Sequence, residues 1–81
     1  MEIDQEKIDD MVLALLYLTS FEDHGQKRAW KGMDWDVMNR LFDKEYICDP
    51  KSKAKSIAFT EAGFARCKAL FEQYFTISHR D

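Results

Sequence analysis

The chain has 81 residues, of which 46% are apolar and 14% aromatic, and its formal net charge is −3. A chain of this length forms one domain with a modest core, because it buries only about 60–65% of the surface that its unfolded form exposes. This apolar content excludes an intrinsically disordered chain. The longest apolar run, Met11–Leu18, is far shorter than the roughly 20 residues that a membrane span needs.

The cysteines and the N-terminus indicate the compartment. Cys48 and Cys67 form no Cys-x-x-Cys pair and have no histidine close by in the sequence, so they match neither a disulfide framework nor a zinc site. The acidic N-terminus lacks the basic start of a signal peptide. We predict one cytoplasmic domain spanning residues 1–81, with a short disordered tail at about residues 76–81.

Charge is divided unevenly along the chain. Residues 1–23 hold seven acids and one base, whereas residues 24–81 hold eight acids and eleven bases. A solvated acidic face is the simpler interpretation of the first part. The alternative is that this face repels phosphate and leaves the other side of the domain free to meet it.

The first predicted helix spans Glu6 to Thr19, with Asp4 as its N-cap. A core-facing side is indicated by spacings of three and four residues; it comprises Ile8, Met11, Val12, Leu15, Leu16 and Thr19. The helix is apolar on almost every side after its first two turns, which is typical of a central core helix. A dimer contact through Tyr17 and Leu18 is the alternative.

The segment from Thr19 to Met33 has the weakest pattern. Phe21–His24 is compatible with a frayed helix end, and Ala29–Lys31 with a short extended piece that pairs at the edge of a following hairpin. Trp30 lies among the bases Lys27, Arg28 and Lys31. This tryptophan either stacks on a nucleic-acid base or anchors the loop in the core, and the anchor is the interpretation that we favour.

A second helix is predicted over residues 35–44, capped by Asp34. Its inward residues are Trp35, Met38, Leu41 and Phe42, and its outward polar residues are Asn39, Arg40, Asp43 and Lys44.

A β-hairpin with a basic tip follows this helix. Tyr46–Cys48 and Ser56–Phe59 are rich in β-forming residues, and Asp49-Pro50 is a turn signal. Between them Lys51, Lys53 and Lys55 alternate with small residues, so an extended chain projects all three ammonium groups from one side.

Thr60 caps the last helix, whose inward stripe comprises Phe64, Cys67, Leu70, Phe71, Tyr74 and Phe75. The predicted class is mainly α with a small β-hairpin: three helices plus a two- or three-stranded antiparallel sheet.

No catalytic or metal-binding constellation is visible in the sequence. The three glycines are scattered and form no phosphate-binding loop, and no serine has a histidine and an acid in a recognisable arrangement. Because catalysis needs convergent groups, we expect a protein that is not an enzyme and binds no metal or cofactor.

The chain from residue 34 to 75 resembles a winged-helix domain. Leu41, Tyr46-Ile47, Asp49-Pro50 and Thr60-Glu61-Ala62-Gly63 are similar to the recognition helix, the wing and the following helix start of MarR-like and PadR-like regulators. Glu45 stands where these proteins usually have glycine. The resemblance implies a reduced winged helix, since the segment between Thr19 and Met33 is too short for the bracing helix of a helix-turn-helix.

Nearly the whole chain also resembles a family of small bacterial proteins with no assigned function. Shared segments are Ala14–Thr19, Arg28–Gly32, Asp34–Asp36, Asp49-Pro50 through Lys53–Ser56, and Thr60-Glu61. This resemblance implies no particular binding residues.

Two functions remain open. The first is binding of nucleic acid, duplex DNA in particular; its residues are Lys51, Lys53, Lys55, Arg40, Asn39, Lys44, Lys27, Arg28 and Lys31. The second is a protein-interaction or homodimer module; its residues are Tyr17, Leu18, Phe71, Tyr74 and Phe75.

Overall fold

The computed structural model of the protein describes residues 1–77. In chain order its elements are α1 (Gln5–Leu18), β1 (Phe21–Asp23), β2 (Gln26–Trp30), α2 (Trp35–Asp43), β3 (Ser56–Ala58) and α3 (Glu61–Phe75). The strands form one antiparallel sheet in the order β1-β2-β3. The predicted class is confirmed. Of the tail predicted at residues 76–81, residues 78–81 lie outside the described residues.

The helices form one layer and the sheet forms the other, in a flat molecule of 47 × 39 × 19 Å. Helix α1 packs mainly against α3 and also contacts α2 and β2. The cross-strand pair Ala29 and Ile57 is buried, so this face of the sheet meets the helices. The core between the layers contains Leu13, Leu16, Met38, Leu41, Ile47, Ile57 and Cys67.

Each helix starts at the N-cap that the sequence predicts. Asp4 Oδ1 accepts a hydrogen bond from Lys7 N at 3.0 Å, and Asp34 Oδ2 accepts one from Val37 N at 3.2 Å. Thr60 Oγ1 accepts one from Gly63 N at 2.9 Å. Each side chain satisfies a backbone donor that has no partner within the first turn.

The frayed helix end predicted at Phe21–His24 is wrong, because β1 and β2 form a tight hairpin there. Asp23 pairs with Gln26, and the two residues between them, His24 and Gly25, have φ values of 51° and 79°. Positive φ at both positions matches the type I′ turn that suits the twist of a two-residue hairpin. The extended piece predicted at Ala29–Lys31 is confirmed, since β2 includes Trp30 and Lys31 N donates to Lys55 O at 3.2 Å.

The inward face predicted for the first helix is largely wrong. Of its six predicted residues only Leu16 is buried, and the buried side of α1 consists of Asp9, Leu13, Ala14 and Leu16. Apolar periodicity does not choose a face on a helix that is apolar on both sides. On α2, Val37, Met38 and Leu41 are buried, whereas Trp35 and Phe42, predicted inward, are 48% and 40% exposed.

The strand predicted at Tyr46–Cys48 forms only in part. Ile47 bridges to Phe59, and Cys48 N donates to Ala58 O at 2.9 Å. Residues 50–55 are turn and bend, so the extended lysine row predicted there is wrong.

The turn after α2 explains the motif at the start of α3. Glu45 has φ 64° and occupies the left-handed position that usually takes glycine after a helix. Tyr46 N donates back to Leu41 O at 3.0 Å. Thr60 Oγ1 donates to Glu45 O at 2.6 Å, and a Cβ on Gly63 would overlap the carbonyl oxygen of Tyr46. The hydroxyl of Thr60 and the missing side chain of Gly63 therefore allow α3 to dock against the turn.

Candidate functional site

An uncharged apolar stripe runs along the side of α1 that faces away from the sheet. We call Ile8, Met11, Leu15 and Leu18 the α1 stripe; their spacings are three, four and three residues. Ile8, Leu15 and Leu18 are 40%, 39% and 66% exposed, and Met11 is half-buried. A shallow groove of about 360 Å³ follows the stripe, with Asp4 and Lys7 at its rim.

The opposite side of α1 carries a buried carboxylate, Asp9, whose side chain is 1% exposed. Arg40 Nε lies 3.0 and 2.9 Å from its two oxygens, and Arg40 Nη2 lies 2.8 Å from Oδ1. Lys44 Nζ donates to Asp9 Oδ2 at 3.0 Å and to Glu6 Oε2 at 2.9 Å. The hydrogen bonds from Arg40 lower the pKa of Asp9 against the effect of burial, and Lys44 adds to the lowering.

This network corrects the orientation predicted for α2. Arg40 and Lys44 were expected to point outward, but both turn toward α1 to neutralise Asp9. Asn39 is half-buried, and the exposed side of α2 carries the carboxylates of Asp36 and Asp43. The face that a recognition helix would offer to phosphate is therefore acidic.

The outer face of the sheet, turned away from the helices, carries exposed aromatic side chains. Phe21 pairs directly with Arg28, and Trp30 lies two residues farther along β2. Phe21 is 45% exposed and Trp30 is 55% exposed, so Trp30 does not anchor the segment in the core as we favoured from the sequence.

Arg28 is fixed on this outer face. Its Nε donates to Ser56 Oγ at 2.8 Å, its Nη2 to Ser56 O at 3.0 Å and its Nη1 to Gln26 Oε1 at 3.0 Å. The two bonds to Ser56 tie β2 to β3, and the bond to Gln26 lies within β2.

The segment from residue 49 to 55, which we call the lysine loop, is held at the Trp30 end of β2. Lys31 Nζ donates to Pro50 O at 2.8 Å and to Ser52 O at 2.6 Å, and Pro50 is buried. Asp49 Oδ1 accepts from Lys51 N at 2.9 Å. The side chains of Lys51, Lys53 and Lys55 remain exposed.

The predicted basic cluster around Trp30 is divided between the two faces of the sheet. Lys27 points toward the helices, with its ammonium 5.4 Å from the ring centre of Phe64 and 3.7 Å from Glu22 Oε1. Arg28 shares the outer face with Trp30, and Lys31, just after β2, reaches the backbone of the lysine loop.

The residues predicted for a dimer contact fall into two groups. Tyr17 is half-buried among aromatic rings, 5.1 Å from Phe71 and 5.7 Å from Phe64 between ring centres. Leu18, Tyr74 and Phe75 are exposed. Tyr17 and Phe71 therefore hold α1 against α3, and only the exposed three are available to a partner.

An open depression of about 620 Å³ lies beside the start of α3. Apolar side chains, including Phe42, Ile47 and Cys48, line it, and the acids Glu45, Asp49 and Glu61 stand at its rim. Both cysteines are free thiols. Burial raises the pKa of Cys67 to about 12, so this thiol has no nucleophilic role at neutral pH.

Within residues 1–77, no three histidine, cysteine, aspartate or glutamate side chains are placed to hold a metal ion. Over the same range, no helix is long and apolar enough to cross a membrane.

Two features of these surfaces were not predicted from the sequence. The β1–β2 hairpin had one available signal, the glycine after His24, and the strands that flank it are mostly charged. The Asp9–Arg40 pair had none, because the partners are 31 residues apart in the chain.

Comparison with known proteins assigns the chain to a family. It is 50% identical over 76 residues to the uncharacterized protein y4hR of Sinorhizobium fredii (strain NBRC 101917 / NGR234), an alignment covering 94% of this chain and 99% of that protein. No solved structure matches it. The family model for the domain of unknown function DUF6429 matches residues 4–77. The chain therefore belongs to the DUF6429 family, which agrees with its resemblance to small bacterial proteins.

Proposed function

We propose that this domain is a protein-interaction module that self-associates through the α1 stripe. The observation that carries this proposal is the exposure of Ile8, Leu15 and Leu18 on a helix whose other side is already buried in the core. A helix that needs only one apolar face to fold has no structural use for a second. Contiguous apolar surface rimmed by polar groups is typical of interaction sites.

The spacing of the stripe favours a helical partner. Alternating spacings of three and four residues are those of the a and d positions of a coiled-coil seam. In an antiparallel pair, Ile8 of one copy meets Leu18 of the other, and Met11 meets Leu15. No charged residue interrupts this face between Ile8 and Leu18.

Charge favours the antiparallel arrangement over the parallel one. The N-terminal end of α1 carries Glu2, Asp4 and Glu6. A two-fold antiparallel pair separates these acids at opposite ends of the interface, whereas a parallel pair brings like charges together. Such a pair is isologous, so one surface patch serves both copies.

The size of the stripe sets the strength that we expect. Its exposed area is on the order of 300 Å² for each copy, which is the scale of the largest apolar patch on an ordinary monomer. Two such patches bury less than the roughly 1,200 Å² below which interfaces are weak or transient. We therefore expect a reversible dimer that dissociates on dilution.

Recognition of duplex DNA by α2 has weaker support. The order of α2, the lysine loop, β3 and α3 agrees with the winged-helix resemblance. However, Arg40 and Lys44 are committed to Asp9, and Asp36 and Asp43 face solvent. Phosphate would meet carboxylates on this helix.

Sedimentation equilibrium between about 10 and 500 µM, a range suited to weak interfaces, tests self-association. We expect the mass to rise from monomer to dimer, and we expect Leu15→Glu to keep it at monomer by placing a charge at the centre of the stripe. Tyr74→Glu is the matched control on α3, where Tyr74 is 46% exposed, and should dimerise normally. A monomer throughout the range, or a dimer broken by Tyr74→Glu and not by Leu15→Glu, would contradict the proposal.

A further inference from the structure

The outer face of the sheet lies on the other side of the molecule from the α1 stripe and is independent of it. Two large aromatic side chains, Phe21 and Trp30, are each about half exposed there. Neither contributes to the core cluster. The aromatic surface that they offer to solvent is therefore free to meet a ligand.

The strand register sets the separation of these two rings. Phe21 is directly opposite Arg28, and Trp30 follows Arg28 by two residues, so Phe21 and Trp30 are diagonal neighbours on one face. Diagonal positions in an antiparallel pair are about 7–8 Å apart, within reach of large aromatic side chains. Two rings at this distance can each take one base of an unstacked strand.

Arg28 is fixed on this face before any ligand arrives, and Trp30 has a close neighbour there. Its indole lies against Gly32, where an added Cβ would come within 2.7 Å of Trp30 Nε1. Arg28, between the two aromatic positions, is fixed by three hydrogen bonds. An arginine that is already ordered loses less conformational entropy when it contacts a ligand.

Positive charge lies next to the aromatic pair. Lys31 holds the lysine loop at the Trp30 end of the strand, and Lys51, Lys53 and Lys55 are exposed on it. None of these three lysines makes an ion pair among residues 1–77. Asp49, the acid in the loop, already accepts from Lys51 N.

From this arrangement we propose that the outer face of the sheet binds single-stranded nucleic acid, with bases stacked on Phe21 and Trp30 and the backbone phosphates paired with Arg28 and the lysine loop. Aromatic platforms beside a basic track are the usual means of binding a single strand without sequence preference. A duplex keeps its bases stacked on each other, so it cannot use the rings in this way. A duplex would therefore bind through its phosphates only.

The test is a fluorescence titration in which Trp30 is the only tryptophan. The Trp35→Phe variant provides this, since Trp35 is exposed on α2. An oligo-dT of roughly 15 nucleotides, within the usual site size of such platforms, should quench Trp30. With about four phosphates contacted, raising the salt fourfold should weaken binding by roughly 50-fold.

Variants of Trp30 and of the lysine loop, each with a control, separate stacking from simple charge attraction. Trp30→Leu should weaken binding by roughly tenfold to hundredfold, measured by anisotropy of a labelled oligonucleotide, and Trp35→Leu is its matched control with no loss. Replacing Lys51, Lys53 and Lys55 by glutamine should flatten the salt dependence, whereas the pair Lys7→Gln and Lys68→Gln should not. Trp30→Phe keeps an aromatic ring and should bind nearly as well as the wild type. This variant tests the role of stacking if Trp30→Leu does not fold.

Three results would overturn this inference. The first is no binding at about 100 µM protein and low salt, where even weak electrostatic binding to nucleic acid is measurable. The second is a duplex of the same length, or heparin, binding as tightly as the single strand. The third is a Trp30→Leu variant that folds and binds unchanged.

Discussion

Replacing Asp9 by asparagine tests whether the buried ion pair holds α1 against α2. Asparagine keeps the shape of aspartate but removes the charge that Arg40 and Lys44 neutralise. Breaking a buried pair by removing one partner costs about 3–5 kcal/mol. The side chains of Arg40 and Lys44 keep 30% and 28% of their exposure and can turn toward water, so we expect the lower end, about 3 kcal/mol.

For a domain of this size, 1 kcal/mol shifts the melting temperature by about 4–8 °C, so a loss of about 3 kcal/mol is large. Urea unfolding followed by circular dichroism at pH 7 measures it. Glu6→Gln is a control, because Glu6 shares Lys44 with Asp9 but its side chain is 81% exposed. Removing this exposed pair should cost less than about 1 kcal/mol.

The loss should also depend on pH, with a defined sign. The pKa of Asp9 is lower in the folded protein than its usual value near 4, chiefly because of Arg40. The stabilisation is therefore complete above the unfolded pKa and disappears as the pH falls through the folded one. We expect the stabilities of the wild type and Asp9→Asn to converge as the pH falls through the lowered folded pKa of Asp9. Equal stability at pH 7, or a difference that persists unchanged in acid, would refute the role given to this pair.

Three further changes test the turn between α2 and α3. Gly63→Ala should prevent stable folding, because its Cβ would overlap the carbonyl of Tyr46; a cooperative thermal transition near that of the wild type would refute this close approach. Glu45→Gly should raise the free energy of unfolding by about 1 kcal/mol, since glycine adopts the φ of 64° without strain. If urea unfolding instead shows a lower free energy, the Glu45 side chain stabilises the turn. Thr60→Ala should cost about 1 kcal/mol or more and Thr60→Ser much less, because serine keeps the hydroxyl that bonds both Gly63 N and Glu45 O; equal losses would show that the methyl group matters instead.

Local signals predicted accurately where the helices of this fold begin. Asp4, Asp34 and Thr60 cap the three helices, because an N-cap interacts only with the turn that follows it. The unusual position of Glu45 was also visible from the sequence, although the chain keeps the left-handed turn there with no glycine. Features set by neighbouring residues are therefore predictable without the rest of the structure.

Features that depend on residues far apart in the chain were not predictable from the sequence. Asp9 is a charged residue on a helix that is apolar on both sides. From the sequence, a charged residue indicates the side of a helix that faces solvent. Its burial depends on Arg40 and Lys44, and nothing in the local pattern indicates these partners. The burial of Asp9 decides which face of α1 points into the core. It also decides whether α2 presents cations or carboxylates to solvent.

The two proposed surfaces are compatible, and together they lead to one more expectation. The buried side of α1 faces the sheet, so a dimer through the α1 stripe places two outer sheet faces on opposite sides of the assembly. Two linked sites raise the apparent affinity only for a strand long enough to reach both. Each copy is at least 19 Å thick, and both copies lie between the two sites. A short strand therefore cannot reach both sites.

The dependence on strand length follows from this distance. An oligo-dT of roughly 10 nucleotides, which occupies one site, should bind the wild type and Leu15→Glu equally. A strand of roughly 60 nucleotides should bind the wild type more tightly by at least about tenfold, and Leu15→Glu should lose that gain. The measurement is anisotropy at a protein concentration where the wild type is dimeric. If Leu15→Glu weakens the short strand as much as the long one, the α1 stripe and the sheet are not independent surfaces, and one of the two assignments is wrong.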